Sequence, residues 1–181
     1  INRELNRKIH VALIRQMFPD VNKMLCVGAR IDHEILTFKK SGFDVLGIDI
    51  AYESSLIKRI DAHEMSKYFE KDEFDIVYAS HSLEHMHNAE MVLKQTRSIA
   101  KNGIFITLPC KGKPYKSHCS VFDIMVEGEN DTLPKNINDV GQKKELLKDF
   151  KNLEPYELIY CERRLKSKDN YELDLAFKWS R

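Results

Sequence analysis

Apolar and polar positions alternate along the chain in blocks of two kinds. Short aliphatic or β-branched runs stand at 24–27, 45–48, 58–60, 74–80, 104–108, 156–161 and 172–179. They are bounded by Gly, Pro, Asp or Asn and read as strands. The run 74–80 is apolar almost throughout, as expected of a strand buried on both faces of a parallel sheet. Between these runs the apolar residues recur every three or four positions. Over 2–18, Leu5, Ile9, Ala12, Leu13 and Met17 share one helical face, with Arg3, Glu4, Arg7, Lys8 and Arg15 elsewhere, and Pro19 ends the pattern. Ile31, Ile35, Leu36 and Phe38 mark a second helix that stops at Ser41-Gly42. Asn88 is placed to cap a third that runs to Lys101, with Val92, Leu93, Thr96, Ile99 and Ala100 inward and Asn102-Gly103 closing it. A short polar helix is expected over 64–70, and helical spacing returns over 139–150 through Val140, Leu146, Leu147 and Phe150. Residues 110–138 carry no strong period, and so long an unpatterned connection is often functional.

The order of these blocks predicts the fold. Strands alternating with helices argue for a doubly wound α/β domain, a mostly parallel seven-stranded sheet with helices on both faces. The ending of helix, strand, polar turn and strand breaks the alternation and predicts an antiparallel last strand. No repeat or second domain is visible, so 1–181 reads as one domain with an N-terminal helix (1–20) and a substrate-side loop or lid (110–138). Its organising stretch is 23–49: a strand that stops at Gly28, a helix, and a strand that ends on Asp49. Strand, tight turn, helix and strand-end acid form a nucleotide-binding βαβ unit. The helix N-terminus offers free N–H groups, and the acid can accept from a ribose diol.

Composition narrows the picture modestly. The 181 residues are 43% hydrophobic, enough for a substantial core, and 29 Lys plus Arg balance 28 Asp plus Glu. A net charge of +1 gives no reason to expect nucleic acid or a membrane surface as partner. No apolar run approaches the roughly 20 residues that span a bilayer. The basic, amphipathic start does not read as a signal peptide, and the chain begins at Ile1, as a trimmed chain would. Cys26, Cys110, Cys119 and Cys161 form no CxxC pair; three lie in or beside expected strands and read as reduced, buried thiols of a cytoplasmic protein.

Histidines at 63, 81, 85, 87 and 118 raise a metal reading, but four-residue spacing serves a metal only on a helix, and no metal is assigned. The lysines at 111, 113 and 116 and the basic residues at 163, 164, 166 and 168 read as solvated faces.

With these residues in view, the chain resembles the class I S-adenosylmethionine-dependent methyltransferases over nearly its whole length. Three pieces carry the likeness: MLCVG with Asp49 ending the second strand, Ile60-Asp61-Ala62-His63 after the third, and EFDIVYASHSLEHMHN over 73–88. The resemblance implies S-adenosylmethionine as cofactor and S-adenosylhomocysteine as product. It implies a cofactor site of Gly28, Ala29, Arg30, Asp49, Ile50, Asp61, Ala62, Ser80 and His81. Gly28 would let the backbone approach the methionine end, Asp49 would hold the ribose hydroxyls, and Asp61 with Ala62 would meet the adenine. His81 would lie near the sulfonium, as a cofactor or acceptor contact or as a general base; His85 and His118 would line the acceptor.

The family pattern Gly-x-Gly-x-Gly is broken here: Arg30 and Asp32 replace the second and third glycines. Arg30 is expected to pair with the cofactor carboxylate, and Asp32 or Glu34 to hold its ammonium. The acceptor implied is a small molecule, and oligomeric state carries no signal. Two rivals stand beside this reading: a non-catalytic methyltransferase-like binding module, and a nicotinamide-dependent oxidoreductase. The second lacks the fuller Gly-x-Gly-x-x-Gly turn.

Overall fold

The computed structural model describes residues 3–110, 147–167 and 170–179. Seven strands form one sheet: β1 (Lys23–Val27), β2 (Asp44–Asp49), β3 (Ile57–Arg59), β4 (Phe74–Ser80), β5 (Ala100–Cys110), β6 (Glu157–Ser167) and β7 (Asn170–Lys178). Their order is β3-β2-β1-β4-β5-β7-β6. The first five are mutually parallel, and β7 is antiparallel to both β5 and β6. The expected doubly wound sheet with an inserted antiparallel strand is therefore the one observed. Among the described residues three α-helices accompany it: α1 (Arg3–Met17), α2 (Asp32–Lys40) and α3 (Ala89–Ile99).

Alternation along each strand sends side chains into two separate cores. Leu25, Val27, Val77, Ala79, Ile104 and Ile106 face α3, where Val92, Leu93 and Ile99 meet them. Met24, Cys26, Ile76, Tyr78 and Phe105 face the other way, against Ile14 of α1 and Ile35 and Phe38 of α2. Helices thus cover both faces, and only a strand apolar on both sides can sit between them. Cys26 and Cys161 are buried, as expected. No helix among the described residues is long and apolar enough to cross a membrane.

Three local expectations are corrected. The third helix ends at Ile99, and Ala100 already opens β5. Asn102 and Gly103 are strand residues: Gly103 pairs with Ile76 and Lys178, and a Cβ there would overlap the Phe177 carbonyl oxygen. That glycine serves close strand approach, and the helix-end reading mistook its purpose. The face of α1 turned inward is Asn6, His10 and Ile14, while Leu5 is half exposed. The short helix expected over 64–70 is instead a 3₁₀ segment, Ala62–Lys67, and the helix expected over 139–150 is described only at its end, as the 3₁₀ turn Lys148–Leu153. The 110–138 lid and His118 lie outside the described residues, apart from the backbone of Cys110 in β5.

Candidate functional site

Because β1 to β5 run parallel, their carboxyl ends share one edge of the sheet. The order reverses between β1 and β4, which opens a crevice at that edge, the usual ligand position in open α/β sheets. Gly28, Asp49, Asp61 and His81 each follow or end a strand there. The backbone laces these ends together. The N–H groups of Gly28 and Ala29 donate to Ile48 O at 2.9 and 3.0 Å, that of Ile60 to Asp49 O at 3.0 Å, and that of His81 to Thr107 O at 3.0 Å. The sequence-expected residues are thus brought to one edge.

Their side chains have further duties. Asp49 Oδ1 accepts from the N–H groups of Ala51 and Tyr52 at 2.8 and 2.9 Å, which shapes the turn after β2. Its Oδ2 has no partner among the described residues, and Ile50 beside it is 64% exposed. Asp61 caps the following 3₁₀ turn by accepting from His63 N–H at 2.9 Å, and its Oδ1 lies 2.6 Å from His63 Nδ1. Burial pushes the Asp61 carboxyl up, but the His63 hydrogen bonds prevail and hold it below the ordinary aspartate value. His63 stacks on His87 at 4.0 Å. Ala62 and Ala29 are buried, whereas Arg30 and His85 are exposed.

The Gly28 turn differs from its expected use. Gly28 has φ +74°, and a Cβ there would stand 2.5 Å from Ser82 Cβ. The missing side chain makes room for Ser82, whose buried Oγ has no hydrogen-bond partner. Asp32 is bonded by Ser54 Oγ–H at 2.5 Å. Glu34 turns toward Cys26 Sγ at 3.7 Å and Tyr78 OH at 3.4 Å, and burial raises its carboxyl. Glu34 is engaged with Cys26 and Tyr78, whereas Asp32 uses only Oδ1 in its bond to Ser54.

At the other side of the crevice lies a polar cluster with no counterpart in the sequence reading. His81, at φ +50°, is held in the left-handed region that non-glycine residues rarely adopt. Its Nε2 is 2.6 Å from Glu172 Oε1, and its Nδ1 is 3.5 Å from Glu84 Oε1. Both carboxylates are 1% exposed. Glu172 Oε2 accepts from Asn6 Nδ2 at 2.8 Å and from Arg164 Nη2 at 3.4 Å. Arg164 also donates to Asn6 Oδ1 and His10 Nε2, at 2.9 and 2.8 Å, and through Nε to Asp174.

A guanidinium has no acceptor to offer, so His10 Nε2 must accept. His10 Nδ1 then carries the hydrogen and donates to Tyr78 OH at 2.8 Å. Burial pushes Asp174 up, but hydrogen bonds and the guanidinium charge hold it below the ordinary aspartate value. His10, Glu172 and Asp174 are the trio among the described residues whose ligand atoms lie within 4.8 Å of one another. Arg164 already stands among them as their cation. The histidines of 81–87 do not converge on one point: His81 turns to Glu172 and His87 to His63.

Sequence reading missed Asn6 and Glu172 and took Arg164 for part of a solvated face, whereas it is 16% exposed and paired with Glu172 and Asp174. The signals were present: polar Asn6 and His10 four apart on a helix, and Glu172 and Asp174 two apart in an apolar strand. Each pair shares one face.

The comparisons agree with this fold. Residues 1–113 match the family model described as a methyltransferase domain, and the chain belongs to that family. The fold is that of the class I methyltransferases. Among solved structures it is similar to a 1,6-didemethyltoxoflavin-N1-methyltransferase from Burkholderia thailandensis with bound 1,6-didemethyltoxoflavin and S-adenosylhomocysteine. The TM-score is 0.67 at 11% identity, covering 99% of this chain and 80% of that one. It is also similar to magnesium protoporphyrin IX methyltransferase from Synechocystis PCC 6803 with bound S-adenosylmethionine: TM-score 0.62 at 14% identity, covering 98% and 79%. A third is the PH0226 protein of Pyrococcus horikoshii OT3, with TM-score 0.66 at 15% identity, covering 98% and 92%. No curated protein sequence matches the chain.

Proposed function

We propose that the chain binds S-adenosylmethionine across the β1–β4 crevice and catalyses transfer of its methyl group to a small-molecule acceptor. The observation that carries this reading is the gathering of Asp49, Asp61 and His81 at the carboxyl edge of a methyltransferase-family sheet. Asp49 Oδ2 suits a ribose diol, Ile50 offers an apolar surface to the adenine, and Asp61 with Ala62 stands at the purine's edge. Gly28, Ala29 and Ser80 border the methionine end. Arg30, exposed and without an ion pair among the described residues, suits its carboxylate. Ser82 Oγ and Glu84 Oε2, both buried without partners, are polar groups that a bound molecule can satisfy. The cofactor supplies an activated methyl group on a sulfonium; the protein supplies orientation and exclusion of water. His81 and His85 face the acceptor, with His118 contributed by the 110–138 segment.

Titration with S-adenosylhomocysteine tests this. We expect binding to the wild type. Asp49→Ala should weaken it about ten- to a hundredfold, the worth of roughly 1.5–3 kcal/mol of hydrogen bonding to a charged group. Asp49→Asn, which keeps an acceptor for Ala51 and Tyr52, separates ribose binding from loss of the turn. A second reading draws on Ser82, which fills the space above Gly28: a methyltransferase-like binding module with no cofactor. A folded wild type that takes up no S-adenosylhomocysteine would favour it.

A further inference from the structure

The cluster behind His81 is more elaborate than a histidine needs merely to pack. We infer that Glu172 is a positioning residue, braced by Asn6 and Arg164, that holds Nε2–H of His81 and leaves Nδ1 as the ring's proton-accepting nitrogen at the acceptor side. This rests on the methyl-transfer reading above for its chemical purpose, and on geometry alone for the arrangement.

Both oxygens of Glu172 are committed. Oε1 meets His81 Nε2 at 2.6 Å, and Oε2 takes Asn6 Nδ2 at 2.8 Å and Arg164 Nη2 at 3.4 Å. Two donors on Oε2, one of them a guanidinium, keep a 1%-exposed carboxylate in its charged form. A charged carboxylate only accepts, so the hydrogen of the short contact belongs to His81 Nε2. In the neutral ring that places the lone pair on Nδ1.

The 3.5 Å from Nδ1 to Glu84 Oε1 is long for a hydrogen bond, but close enough for a proton on Nδ1 to be stabilised by the carboxylate's charge. Glu84 Oε2 has no hydrogen-bond partner, and Oε1 also lies 3.9 Å from His85 Nε2, so the carboxylate faces both rings. Among the groups that face His81 are Glu172 of β7 and Glu84 of the 3₁₀ turn Leu83–His85, with Arg164 of β6 reaching it through Glu172. The left-handed φ of His81 is the strain that directs its ring to them.

Such a pair suits an acceptor that must give up a proton. The acceptor atom forms its bond to the methyl carbon, the carbon–sulfur bond breaks with its electrons left on sulfur, and the acceptor's proton passes to His81 Nδ1. Glu172 does not change protonation.

The test is the tautomer of His81, read from imidazole nitrogen chemical shifts in the protein without ligand, for wild type and Glu172→Gln. We expect the neutral wild-type ring to carry its hydrogen on Nε2. In Glu172→Gln that preference should be lost, with the midpoint of His81 titration falling by about one pH unit, a tenfold loss in proton affinity. A wild-type ring hydrogenated on Nδ1, or a preference and midpoint unchanged in Glu172→Gln, overturns the inference. Should that variant not fold, the wild-type tautomer decides alone, with Asn6→Ala as a milder disturbance expected to lower the midpoint less. Titration with S-adenosylhomocysteine is a separate readout. Failure there removes the methyl-transfer reading and leaves the His81–Glu172 result standing.

Discussion

At the scale of single residues, the site depends on which atoms are missing as well as which are present. Gly28 is the sharpest case. Its φ of +74° disfavours any side chain, and a Cβ would press Ser82 Cβ at 2.5 Å. Gly28→Ala therefore meets two costs, backbone strain and overlap, each on the order of 1–3 kcal/mol. Ser82→Gly added to it should relieve only the overlap. We expect urea denaturation to show Gly28→Ala destabilised, the double variant partly restored, and the remainder assigned to φ. Full restoration would mean that φ carries no cost. The sequence marked Gly28 as a turn residue ending β1, and that was legible from the apolar run before it. Its use was not legible, because Ser82 lies 54 positions further on and no local pattern joins the two.

At the scale of elements, α1 and the β6–β7 hairpin are joined by buried charge. An amphipathic reading of α1 chose Leu5, Ile9, Ala12, Leu13 and Met17 as its inner face. Hydrophobic periodicity assumes that burial selects apolar residues. Here the inner stripe carries Asn6 and His10 because Glu172, Asp174 and Arg164 await them across the sheet. Strands and their order followed from periodicity and turn residues; a buried polar contact spanning 158 residues, Arg164 with Asn6, could not.

Removing Arg164 tests the coupling. Arg164→Met leaves two buried carboxylates without their cation, a loss of about 3–5 kcal/mol near neutral pH. The pH dependence has a definite sign. Asp174 is held below its unfolded value, so its contribution is complete above about pH 3.9 and is lost as pH falls toward the folded value. In Arg164→Met, Asp174 keeps the Thr107 Oγ1 hydrogen bond at 2.9 Å and the nearby His10 but loses its guanidinium, so its carboxyl is held down less and acidification removes less stability. The stability gap between the two proteins should therefore shrink as pH falls through about 4, measured by denaturation at several pH values. A constant gap would show that Asp174 does not depend on Arg164.

At the scale of the molecule, these links bear on whether the chain folds as one unit. Asn6 and Glu172 are 166 positions apart and hydrogen bonded, so the first helix is closed against the last strand. Trp179, the single tryptophan, donates Nε1–H to Ala100 O and backbone N–H to Asn102 O, both at 3.0 Å, tying the end of β7 to the start of β5. The central strands β1, β4 and β5 feed both cores, so neither face can melt without exposing the other's strands. A sheet shared in this way should lose its structure in one step. Trp179 fluorescence and far-ultraviolet circular dichroism should then report the same urea midpoint. Deleting residues 1–18 should lower both midpoints together, because it strips Ile14 and Phe18 from one core and His10 from Arg164. A first dichroism step with Trp179 unchanged would instead divide the chain, with α1 and its face melting apart from the sheet. The deletion would then leave the Trp179 midpoint where it was.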